Sequence, residues 1–174
     1  MHVIIKLPLI AGLSLLSSFR IRGQHETAYA LQANIIYRIT KYIDWPSGKR
    51  AGDFIIGVVG DTPLYDELKN LSVSKTVGSQ KITVVKIAPS AGSYNCHILF
   101  ISEEESSSLK RIALLTAGTP TLIITESGGL ARKGSCINFI TVDDRLKLEI
   151  NKGNVEQRSL HIASELLELG IIIK

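Results

Sequence analysis

Four short, nearly unbroken apolar runs constrain this chain more than any other feature: DFIIGVVG at 53–60, KITVVKI at 81–87, CHILFIS at 96–102 and PTLIIT at 120–125. Runs of strand length that are β-branched and apolar at successive positions belong to strands buried on both faces. The stretches between them carry helix signals. DTPLYDELKNL opens with Asp61 or Thr62 as a cap and Pro63 in the first turn. SEEESSSLKRIALLTAG has Ser102 and Glu105 at capping-box spacing and three glutamates where a helix dipole favours them. A capped helix between two apolar strands is a crossover unit, so the chain is expected to build a mostly parallel sheet.

The flanking segments extend this plan. From Glu26, Tyr29, Ile35, Ile36, Ile39, Tyr42 and Ile43 recur at three- and four-residue spacing, which predicts a helix that Pro46 ends. CINFITVDDRLKLEIN predicts two short strands joined at Asp143-Asp144, an antiparallel hairpin at the sheet edge. VEQRSLHIASELLELG predicts a last amphipathic helix with Leu160, Ala163, Leu166 and Leu167 inward and Gly170 as its stop. The expected fold is a three-layer α/β sandwich with about five or six strands, a C-terminal antiparallel hairpin and helices on both faces. Without internal repeats or a dividing linker, residues 24–174 form a single domain in this reading.

Residues 1–23 differ in kind. Lys6, an apolar run from Leu7 to Leu16, small polar residues and then RIRGQHE predict a secretory signal peptide cut between about Ser17 and Gln24, hence a periplasmic protein. The formal charge of +4 comes mostly from this segment, and the remainder holds 17 basic against 16 acidic residues. No basic footprint for nucleic acid remains.

Open α/β sheets bind ligands at the carboxyl ends of their strands, here Gly60-Asp61, Ile101-Ser102 and Thr125-Glu126. A phosphorylatable receiver needs an acidic acceptor where this chain has Ser102. Gly57-Val58-Val59-Gly60 is neither a dinucleotide fingerprint nor a P-loop, and it reads as close packing at Gly57 and a turn at Gly60. No G-x-S-x-G is present, and His97 and His161 read as structural. With strand 120–125 between their strands, Cys96 and Cys136 stand roughly 10 Å apart, beyond disulfide reach, and are expected as free thiols. The residues imply no cofactor, no metal and no enzyme.

ANIIYRITKYIDWP, FIIGVVGDTPLYDELKNL, CHILFIS, ESGGLARKGSCINFI, LKLEIN and LHIASELLEL follow one another between about residues 29 and 169. In that order they resemble the landmarks of the YfiR/HmsC-like family of periplasmic regulators. The most specific are Tyr42-Ile43-Asp44-Trp45-Pro46, the strand 96–101 and Glu149-Ile150-Asn151. Two departures stand out: Ser159-Leu160-His161-Ile162-Ala163-Ser164 replaces the usual Gly-Leu-x-Ile-Ser-Ser, and only two cysteines are present. The resemblance implies an exported α/β protein that represses an inner-membrane signalling protein through its periplasmic domain, typically a diguanylate cyclase, until an envelope signal releases it. The alternative is a small-molecule-binding sensor working with a membrane histidine kinase or receptor. Tyr42, Trp45, Pro46, Asp61 and Ser102 are the candidate contacts for partner or ligand, and a homodimer stays open.

Overall fold

A computed structural model describes the backbone of residues 17–174 and side chains from residue 28 on; the first sixteen residues of the expected signal segment lie outside the described residues. The elements follow as α1 (Ser17–Ile39), β1 (Ile43–Asp44), β2 (Phe54–Val59), α2 (Leu64–Ser72), β3 (Thr76–Val77), β4 (Gln80–Lys86) and β5 (Ile98–Ile101). After them come α3 (Leu109–Leu115), β6 (Leu122–Thr125), β7 (Ile137–Val142), β8 (Arg145–Ile150), α4 (Lys152–Glu156), β9 (His161–Ile162), α5 (Ser164–Glu168) and β10 (Ile171–Ile172).

The main sheet runs β10-β8-β7-β6-β5-β2-β4-β3. Strands β4, β2, β5, β6 and β7 are mutually parallel, with β8 antiparallel to β7. The fold is the expected α/β sandwich, and its eight strands exceed the expected number because the two-residue strands β3 and β10 extend both edges. Strands β5 and β6 are buried at every position, as continuous apolar runs require, whereas β4, near the edge, buries only alternate residues. Asp143 and Asp144 take φ values of 51° and 57°, the left-handed pair that a type I′ hairpin turn needs.

Connection handedness locates the working end of the sheet. The β2–α2–β4 crossover moves toward one edge and the β5–α3–β6 crossover toward the other. Right-handed connections then place α2 and α3 on opposite faces, and α1 packs beside α2. The chain therefore reverses direction between the neighbours β2 and β5, which opens a crevice beyond their carboxyl ends. Gly57, central in β2, lets the layers approach: a Cβ there would sit 2.6 Å from Ile87 Cδ1 and 3.0 Å from Leu99 Cδ1.

Three expected elements differ. The first helix begins before Glu26 and stops at Ile39 rather than Pro46. Thr40 Oγ1 donates back to the Tyr37 carbonyl (2.7 Å), and Ile43-Asp44 leaves to pair with Ile162 and His161. The single last helix is replaced by α4, β9 and α5, because Ser159 adopts φ 54° and β1 claims the backbone of His161-Ile162. The capping box at Ser102 does not form: residues 103–108 make a 3-10 turn and Ser102 caps nothing with its side chain.

Candidate functional site

The five expected contact residues fall at opposite ends of the sheet. Tyr42, Trp45 and Pro46 lie at the amino ends of β2 and β5, and Asp61 and Ser102 follow their carboxyl ends. At about 3.3 Å per residue, the six residues of β2 put roughly 17–20 Å between the two places.

At the amino end, Trp45 is 7% exposed and meets Phe54 edge-on, with centroids 5.3 Å apart, and His97 at 5.6 Å. Phe54 and His97 stack at 4.3 Å. His97 ties two segments together. Its Nδ1 accepts the Ile55 N–H at 3.0 Å, so Nε2 carries the proton and donates to the Lys49 carbonyl at 2.7 Å. Burial holds the imidazole below its ordinary pKa despite these hydrogen bonds. The indole Nε1 has no partner. Pro46 sets φ −60° at the entry to a short 3-10 turn, and Arg50 returns to donate to the Trp45 carbonyl (2.8 Å) and to pair with Asp44. Tyr42 is half-buried, and its carbonyl accepts the Ala163 N–H.

At the carboxyl end, a pocket of about 410 Å³ is lined by Tyr29 from α1, by Asp61 and Thr62 after β2, by Ser102 and Glu103 after β5, and by Glu126 after β6. It lies in the crevice that the reversal of topology opens. Asp61 points outward and pairs with Lys86 at 3.1 Å. Ser102 is 2% exposed, with its Oγ unpartnered and lying where a Cβ on Gly60 would be; Gly60, at φ 96°, is the residue that leaves it room. Glu126 accepts the Glu103 N–H (3.3 Å) and Gln32 Nε2–H (3.5 Å). Burial pushes its carboxyl above the ordinary range, and burial and the Glu126 charge raise Tyr29. Glu126 was visible in the sequence as the end of a strand. Tyr29 and Gln32 were not, because only the packing of α1 brings them there.

The two cysteines are buried and free. Burial pushes the Cys96 thiol up to about 12 and raises Cys136 as well. Among the described residues, no group of three or more His, Cys, Asp or Glu could hold a metal. No described helix is long and apolar enough to cross a membrane.

Comparison with family models decides the kinship: the model described as YfiR/HmsC-like matches residues 29–171. The chain belongs to the YfiR/HmsC-like family. Comparison with curated proteins gives no match. The YfiR/HmsC-like landmarks acquire physical roles in this fold. Trp45 and His97 meet Phe54 in one aromatic cluster. Glu149 accepts from buried Asn138 (2.8 Å), and Asn151 caps α4 while donating to the Ala131 carbonyl (2.9 Å). At family level the YfiR/HmsC-like role is that of a periplasmic regulator of a diguanylate cyclase, a non-catalytic one.

Proposed function

We propose that this chain is an exported repressor that binds the periplasmic part of an inner-membrane signalling protein, typically a diguanylate cyclase, and holds it inactive until an envelope signal arrives. The family match across 29–171 carries the reading, since it spans both the aromatic cluster and the strand-end crevice. Residues 1–23 act as the export signal, and 24–174 function as one α/β domain. Repression requires the chain to bind the inactive partner more tightly than the active one. The partner surface adjoins the Trp45-Pro46 corner. There the indole is packed inward, leaving the exposed Asp44–Arg50 pair, each 64% accessible, to face outward.

Deletion of the gene, with cyclic di-GMP measured, and capture of membrane proteins on the tagged full chain test this. Raised cyclic di-GMP together with recovery of a membrane cyclase or sensor kinase is expected. Unchanged cyclic di-GMP with no membrane protein retained refutes it. The strand-end pocket favours a second reading, a ligand-responsive sensor working with a membrane histidine kinase, in which deletion changes kinase output instead.

A further inference from the structure

We propose that the pocket beyond β2, β5 and β6 binds a small protonated amine, gripped by the Glu126 carboxylate with Ser102 as a further acceptor. The inference goes beyond repression and holds whichever membrane protein the chain meets.

Place and size come first. The crevice at a reversal of strand order is where open α/β sheets hold ligands, and about 410 Å³ lies within the range of small-molecule clefts. Charge sets the sign. Asp61, Glu103, Glu104 and Glu126 line it with no basic side chain among them, and Lys86 is paired to Asp61. Several carboxylates around one concavity concentrate negative potential and attract a cation.

Hydrogen bonding adds an independent pointer. Ser102 and Gln32 are 2% and 7% exposed, and Ser102 Oγ and Gln32 Oε1 have no partner. Gln32 cannot turn over to cure this, because Nε2 already faces Glu126 and the flip would set its oxygen against the carboxylate. Buried polar atoms without partners are costly; Ser102 shares the pocket wall with Glu126, Gln32 holds that carboxylate from behind the wall, and burial disfavours its charged form. A ligand bringing a positive charge and several N–H donors offsets the burial of Glu126 and gives the Ser102 hydroxyl a partner at once. A bare metal ion would need three or more clustered ligands, a grouping that the described residues lack, whereas an ammonium needs only acceptors.

Calorimetry and thermal shift on the full chain at pH 7.5 test this with ethanolamine and 1,4-diaminobutane as probes. Butane-1,4-diol and succinate serve as neutral and anionic counterparts, and tetramethylammonium supplies charge without N–H donors. Saturable binding of an amine probe is expected, with no response to the diol or succinate and a weaker one to tetramethylammonium. Glu126→Gln should weaken binding by about tenfold or more, the loss of one charge-assisted hydrogen bond. Ser102→Ala should weaken it severalfold and reads the same site should the glutamine variant fail to fold. Failure of both amines to bind overturns the proposal. So does equal affinity in both variants, or an equal shift from magnesium chloride at matched ionic strength.

Discussion

Replacing Trp45 by Phe separates packing from recognition at the family's most conspicuous landmark. The change removes the pyrrole half of a side chain that is 7% exposed and contacts Phe54 and His97 edge-on. Losing roughly three buried ring atoms costs about 2–3 kcal/mol at ~0.8 kcal/mol per methylene-sized group. The same change deletes an indole N–H that is buried without a partner, which returns about 1–3 kcal/mol. The net loss is therefore about 1 kcal/mol, or a fall in Tm of about 2–4 °C. Urea unfolding followed by far-UV circular dichroism measures it, since Trp45 is the chain's only tryptophan and its fluorescence disappears with it. Repression should persist, because the ring faces the core. A loss above about 3 kcal/mol would mean that the N–H is satisfied after all. Unchanged stability with lost repression would make the indole a partner contact and refute the packing argument.

Other outcomes follow from the same geometry. His97 is held neutral with its pKa below the ordinary 6.5, so the unfolded chain takes up the proton first as pH falls. Its contribution to stability is complete above about pH 6.5 and declines below it; urea midpoints from pH 8 to 5.5 should show this decline flattened in His97→Gln. Gly60→Ala imposes a side chain at φ 96° and overlaps Ser102 Oγ; a loss of about 2–4 kcal/mol is expected by denaturant titration. Cys96, fully buried with its thiol pushed up to about 12, should resist iodoacetamide in the native protein and react once urea unfolds it, as read by mass spectrometry. Rapid native alkylation of Cys96 would contradict the placement of its strand.

Legibility in the sequence followed the length of each signal. The runs at 54–59, 98–101 and 122–125 are continuous because both faces are covered, and they stand out without any knowledge of partners. Leu160, Ala163, Leu166 and Leu167 fit a helical period equally well whether or not the helix is continuous. The break depends on Ser159 at φ 54° and on pairing with distant Ile43-Asp44, and neither leaves a local mark. Strands of two residues such as β9 and β10 are too short to have a period at all. The same limit governs the pocket. Asp61, Ser102 and Glu126 were locatable as strand ends, but Gln32 reaches Glu126 only through the packing of α1, 94 positions away in the chain.

The β1–β9 ribbon has a consequence in time. Ile43-Asp44 pairs with Ile162 and His161 outside the main sheet, joining an early segment to one of the last. Synthesis delivers the chain from its amino end, as does the export proposed above, so β1 must wait, unpaired, until nearly all of the protein has emerged. A contact of such long sequence separation forms slowly, because closing the loop costs entropy before pairing offsets it. The clasp should thus be the final step of folding, and a chain truncated before His161 should keep its nascent sheet while leaving the Trp45 corner unfastened.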